Sequence, residues 1–268
     1  MARLWHSLTR QELAGLRELG ALVVIPTGAT EQHGDHLPVG CDTLLSAAVA
    51  ERAAERAGVP VVVAPAVASG FSPHHGAWAG TLSLRLTTYL AVLHDLARSV
   101  LDTGFNRVLF VNGHGGNEAP LRSLIGEMVT DGHAVGAVNY FAPSQADWVP
   151  MLKGGLDRAG HACEYETALL MALGLVDENA GQGYPPRCTQ PWMASDSAGD
   201  PITTAGAIWP PVFQPDDCGY YGDPGAADLR NGEAMLEVTV ARLAAFYDDF
   251  ARAPLRTGKT GGMAPLAG

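Results

Sequence analysis

The chain has 268 residues, with 17 basic against 28 acidic side chains and a formal net charge of -11, a balance that repels phosphate backbones and anionic membrane surfaces. Nucleic acid is therefore not an expected partner. With 32 glycines, 18 prolines and only 17% charged residues, the composition suits a compact, loop-rich enzyme long enough to bury a core without disulfides or a structural metal.

In chain order, Thr9 and Glu12 form a capping box ahead of a helix expected over Gln11 to Leu19. Short apolar runs at Ala21 to Pro26, Pro60 to Pro65, Arg107 to Asn112 and Ala134 to Tyr140 read as buried parallel strands. Helical stretches at Thr43 to Ala57, Thr87 to Thr103 and Glu118 to Asp131 alternate with them. The fold class that follows is α/β, a single domain over residues 1–255 with a mostly parallel sheet flanked by helices. A further helix is expected from Glu164 to Leu173 and a long last one from Ala227 to Phe250, with a Gly/Pro-rich connection between them and a flexible tail over 256–268. Cys41, Cys163, Cys188 and Cys218 form no Cys-x-x-Cys pair, and no apolar run approaches the ~18 residues of a membrane span. A reduced, cytoplasmic, non-membrane protein is the expectation.

In open α/β sheets ligands bind beyond the carboxyl ends of the strands, so the loops after the strands carry the chemistry. The first such loop holds Glu31, His33 and His36 and ends at Asp42; the third reads Asn112-Gly113-His114-Gly115-Gly116-Asn117. A later segment, His161 to Thr167, adds an imidazole and the carboxylates of Glu164 and Glu166. Imidazole with carboxylate suits zinc, manganese or iron, and several carboxylates can hold two ions with one bridging. Asp42 alone also reads as a helix N-cap, and Gly113 to Asn117 alone as a phosphate cradle on a non-catalytic binding module, although the lysine of a P-loop is missing. His74, His75 and Trp78 follow the second strand at the same edge and are candidate substrate contacts, with Gly115 and Gly116; Trp78 and Trp148 are candidate walls for a flat substrate.

Glu31-Gln32-His33-Gly34, His36-Leu37-Pro38, Asp42-Thr43, Asn112 to Asn117 and His161 to Thr167 together resemble the signature blocks of the creatininase (creatinine amidohydrolase) family, and Gly80-Thr81-Leu82 resembles its Pro-Gly-Thr segment with Ala79 in place of the proline. The resemblance spans most of the chain. It implies a three-layer α/β/α domain with two divalent ions, Zn2+ or Mn2+ (with Fe2+ a third option), that hydrolyses a C-N bond of a small, commonly cyclic, amide. Carried over residue by residue, Glu31 and His114 hold one ion, His33 the other, and Asp42 bridges them. Creatininase proper has a carboxylate at the position of Gly116; here the fifth ligand is assigned to Glu164, with Glu166 as a supporting residue or the alternative ligand. His161 takes the role of a proton shuttle to the leaving nitrogen. Formamide deformylases and a peptidase trimming a ribosomally made cofactor precursor share the family, so these activities are alternatives. A homo-oligomer, hexameric in the family, is implied as well.

Overall fold

The computed structural model describes residues 2–155, 160–187, 213 and 218–264. Five parallel strands, β1 (Arg3–Leu4), β2 (Leu22–Thr27), β3 (Val61–Val63), β4 (Val108–Asn112) and β5 (Val135–Asn139), form one sheet in the order β1-β3-β2-β4-β5. Around it lie α1 (Arg10–Glu18), α2 (Cys41–Arg56), α3 (Leu86–Asp102), α4 (Glu118–Thr130), the one-turn α5 (Gln145–Trp148), α6 (Glu164–Ala172) and α7 (Leu229–Arg252). β1 has two residues, too short for a periodic signal, and it exists because Arg3 and Leu4 pair with Val62 and Val63 at the sheet edge.

Alternation along each strand divides the apolar residues between two cores. Leu22, Val24, Val61, Val63, Leu109 and Val111 face α2, α6 and α7, through Leu45, Leu169 and Leu243 among others. Val23, Ile25, Val62, Val108 and Phe110 face the other side, against Leu16 of α1, Leu93 of α3 and Leu124 of α4. Strands buried on both faces read as continuous apolar runs, which is why they were visible in the sequence. The result is a three-layer α/β/α sandwich.

Helix boundaries follow their caps. Thr9 Oγ1 accepts from the Glu12 amide while the Glu12 carboxylate accepts from the Thr9 amide at 2.7 Å, completing the anticipated box on α1. On α7 the cap is Asp228, whose carboxylate accepts from Asn231 N at 3.0 Å. α2 starts two residues before Thr43, with Gly40 at the cap, so Asp42 sits inside the first turn and its carboxylate is not consumed as an N-cap. Residues 256–264, expected as tail, instead pair Arg256–Thr257 with Gly262–Met263, and Gly258 N donates to the Val129 carbonyl. Much of the Gly/Pro-rich connection, 188–212 and 214–217, with Cys188, lies outside the described residues. No helix among the described residues is long and apolar enough to cross a membrane.

Register then fixes the site. Thr27 of β2 lies opposite Asn112 of β4, which lies opposite Asn139 of β5, so these strands end together. The chain leaves β2 toward β3 on one side, while β4 lies on the other, making this the point where the strand order reverses.

Candidate metal centre

Asp42 stands at the middle of a buried group of acids and imidazoles. Its Oδ1 lies 3.1 Å from His33 Nε2 and its Oδ2 3.0 Å from His114 Nδ1. Glu31 Oε1 is 3.2 Å from the same His114 Nδ1 and 3.3 Å from His75 Nε2. From the opposite side, Glu166 Oε1 approaches His33 Nε2 to 3.9 Å. Glu31, His33, Asp42, His114 and Glu166 are all buried.

Backbone carbonyls decide which ring nitrogen each histidine offers. A carbonyl can only accept, so Nδ1-H of His33 donates to Glu31 O at 3.2 Å and Nε2-H of His114 donates to Phe71 O at 3.2 Å. The other nitrogen of each ring then faces Asp42. A lone pair set against a carboxylate oxygen is repulsive, so that nitrogen must carry a proton or meet a cation. In the metal-free chain it carries the proton: burial opposes charge on His114, but Glu31 and Asp42 outweigh it and push its pKa up to about 10. His33 is likewise held well above its ordinary value, against burial, by Cys41 and Asp42. Asp42 is held well below the usual carboxylate range despite burial, first by His33 and then by His114. Burial raises Glu166 to about 7. The pocket demands positive charge.

The donors fit divalent ions. Two ligand atoms at ~2.0–2.2 Å from one zinc are about 2.8–3.6 Å apart for angles from 90° to tetrahedral. Three of the separations above, those from Asp42 to His33 and His114 and from Glu31 to His114, fall in that range. Asp42 Oδ2 is buried, and its neighbour at 3.0 Å is His114 Nδ1, a second ligand-type atom rather than a backbone amide. His33, Cys41, Asp42 and Glu166 offer ligand atoms all within 4.8 Å of one another, as do Glu31, His74 and His114.

The structure separates the two carboxylates of α6. Glu164, expected as the fifth ligand, turns away: its oxygens accept from the amides of Lys153 at 2.8 Å and Gly154 at 2.7 Å. Glu166 faces His33 instead, and its other oxygen accepts from Cys163 N at 3.2 Å, closing the first turn of α6 as the third residue after the cap. Positions two apart on a helix diverge by about 200°, so only one of them can face the centre.

The remaining candidates sort by contact. His161 Nε2-H donates to Gln32 O at 2.8 Å, leaving its Nδ1 3.6 Å from Glu31 Oε1; burial, followed by His33, holds its pKa well below the ordinary imidazole value. The His161 ring packs on His33, His75 and Phe213 at 4.3, 4.4 and 4.9 Å. The Gln32 side-chain amide donates to His75 Nδ1 at 2.9 Å, which places a proton on His75 Nε2 to donate to Glu31. His74 stacks on His114, and its buried Nδ1 has no partner. Trp78 is half-buried beside this turn, with an unpartnered Nε1, whereas Trp148 is wholly buried in the core, where its indole donates to Phe141 O, and walls nothing. Gly115 is exposed, while Gly116 is packed against His74 and Phe71. Gly113 has no room for a side chain against the Asp42 carbonyl, so the β4 loop and α2 meet backbone to backbone. The phosphate-cradle reading of this loop fails, because Glu118 opens α4 and the Asn117 side chain is already engaged with Gly28 O and Phe71 N.

Sequence reasoning missed Ser72, whose hydroxyl donates to Glu31; Asn117, which ties three loops together; Phe213, which covers the His75 and His161 rings; and Cys41. Asn117 closes the Asn112 to Asn117 block, and Ser72 and Cys41 lie beside His74 and Asp42; Phe213 carried no signal.

A sequence profile of the creatininase family, described as creatinine amidohydrolase, matches residues 6–247. The chain belongs to the creatininase family. It is 32% identical over 235 residues to the mycofactocin precursor peptide peptidase of Mycobacterium tuberculosis (strain CDC 1551 / Oshkosh), covering 83% of this chain and 84% of that protein. It is 27% identical over 241 residues to the creatinine amidohydrolase of Pseudomonas putida, covering 83% and 87%. Solved structures of a Zn-Zn type mutant creatininase and of creatininase with Mn each superpose with a TM-score of 0.73 at 26% identity, over 93% of this chain and 99% of theirs. As a creatininase-family protein the chain is a hydrolase of C-N bonds.

Proposed function

We propose that this chain hydrolyses the C-N bond of a small amide using two divalent ions, one held by Glu31 and His114, the other by His33 and Glu166, with Asp42 shared between them. The observation that carries this reading is Asp42, whose two oxygens face nitrogens of two different histidines, each with its other nitrogen spent on a backbone carbonyl. Zinc and manganese are the proposed metals. Two such ions, when bound, lower the pKa of water toward neutrality and polarise a substrate carbonyl.

The side chains supply the rest. Ser72 and His75 hold Glu31 from two sides and fix its orientation. His161 is anchored by Nε2 on Gln32 O and keeps Nδ1 directed at the centre, where it takes up a proton and returns it to the departing nitrogen. The rings of Phe213, His75 and His161 pack on one another and offer the substrate an aromatic face. His74, with a free buried Nδ1, is the group placed to bind a substrate donor or acceptor.

A second reading, cleavage at the end of a short peptide, is favoured by the 32% identity to a precursor peptidase. A panel of cyclic amides, formamides and short peptides, assayed separately with zinc and manganese on chelator-treated protein, distinguishes them. Turnover of cyclic amides alone supports the first reading, turnover of peptides alone the second, and metal-independent turnover refutes both. The single-domain organisation, the homo-oligomeric state and a cytoplasmic location belong to the same proposal.

A further inference from the structure

We propose that the Cys41 sulfur is a direct ligand of the ion on the His33 side, joining His33, Asp42 and Glu166 and biasing that position toward thiophilic metals such as zinc. This rests on the metal reading above and goes beyond it, since neither the signature motifs nor the fold requires sulfur there. Cys41 is the first residue of α2, immediately before Asp42, and is wholly buried. Its Sγ, a ring nitrogen of His33, and carboxylate oxygens of Asp42 and Glu166 lie within 4.8 Å of one another. Because His33 Nδ1 is spent on Glu31 O, it is Nε2 that meets Asp42, at 3.1 Å.

One imidazole, one sulfur and two carboxylates make four donors, the usual complement of zinc. Burial holds the Cys41 sulfur as the neutral thiol in the metal-free chain, so its proton is lost only as a cation binds. On binding, the S-H bond breaks, the sulfur lone pair forms the bond to the cation, and the proton leaves to solvent, so uptake by the wild type releases one more proton than uptake by a serine variant. Sulfur selects zinc, cobalt or cadmium over manganese, whose preference is for oxygen donors.

The test titrates the chelator-treated full-length chain with cobalt(II) chloride and reads two absorptions at once. Visible d-d bands report that cobalt is bound; a near-ultraviolet sulfur-to-cobalt charge-transfer band reports a thiolate in its shell. The wild type is expected to show both, Cys41→Ser only the d-d bands, and Cys163→Ser and Cys218→Ser both. Cobalt uptake without the charge-transfer band in the wild type overturns the proposal, as does a band that survives Cys41→Ser. Should Cys41→Ser fail to fold, cadmium-113 NMR of the wild type decides: a resonance shifted downfield of nitrogen/oxygen-only sites supports the sulfur ligand, and one inside their range refutes it. Absence of d-d bands altogether overturns the metal reading itself, a different failure from loss of the charge-transfer band alone.

Discussion

Gly116 offers the sharpest test of how the centre is held. A Cβ built on it falls 2.6 Å from Phe71 O and 2.7 Å from Cε1 of His74, and closer still to His114 Nε2. Ordinary carbon contacts begin near ~3.4 Å, so these groups must each retreat by about 0.7–0.8 Å or more. None is free to do so cheaply. His74 and His114 are stacked at 5.4 Å, and the His114-Phe71 hydrogen bond lies directly in the path. Gly116→Ala therefore breaks the contact that fixes the His114 tautomer. Loss of a supporting bond of this kind weakens metal binding about 10–100-fold. Overpacking costs a further ~1–3 kcal/mol of folding stability, about 2–12 °C in a domain of this size. Gly115 is the matched control, since its Cβ meets nothing within 4 Å, and Gly115→Ala should stay within about 0.5 kcal/mol of wild type. Competition with a chromogenic chelator reads the affinity, and thermal unfolding of metal-free protein reads the stability. A Gly116→Ala protein that binds zinc as tightly as the Gly115→Ala control would refute the claim that Phe71 and His114 set the ligand geometry.

Exchanging the two acids of α6 should have opposite effects. Glu166→Gln lowers bound metal, with affinity reduced by about 100-fold or more, whereas Glu164→Gln leaves metal content unchanged and costs about 1–2 kcal/mol through its two amide contacts; metal analysis and urea unfolding separate them. Replacing His161 with Ala should retain both ions and lower kcat by about 10²–10⁴-fold against whichever amide the panel identifies. His36 sets an acid limit on stability. Burial lowers its pKa to about 4 from the ordinary 6.5, so the unfolded chain binds the extra proton between those values and stability is lost as pH falls through that window. Wild type should lose about 2 kcal/mol more than His36→Gln between pH 7 and 4.5, read from urea midpoints; equal losses would show that His36 is already protonated in the fold.

The strands, the alternating helices and the capping box on α1 were legible because each is a local signal: apolar runs with β-branched residues, helical spacing, and a Thr-x-x-Glu pair. β1 was not, because two residues acquire strand geometry only from the edge of β3. Trp148 shows the converse failure. In a loop-like stretch it reads as a candidate wall for a flat substrate, yet the chain folds there into the single turn of α5 and buries it against Tyr165 at 4.3 Å between ring centres.

At the site, what the sequence conveyed was residue type and strand edge; what it withheld was rotation about α6. Glu164 and Glu166 are equally acidic and equally near His161, and the choice between them depends on where the first turn begins. With Cys163 at the cap, position three faces inward and the carboxylate there both closes the turn and reaches His33, while position one points back at the Lys153-Gly154 amides, which lie ten or so residues earlier in the chain. The same logic acted on α2. A start at Thr43 makes Asp42 a cap that spends its oxygens on its own helix; a start at Cys41 leaves both oxygens for His33 and His114 and carries Cys41 into the same cluster. A shift of two residues in where a helix starts thus decides whether Asp42 spends its oxygens on its own helix or presents them to His33 and His114, a difference no count of acids and histidines reveals.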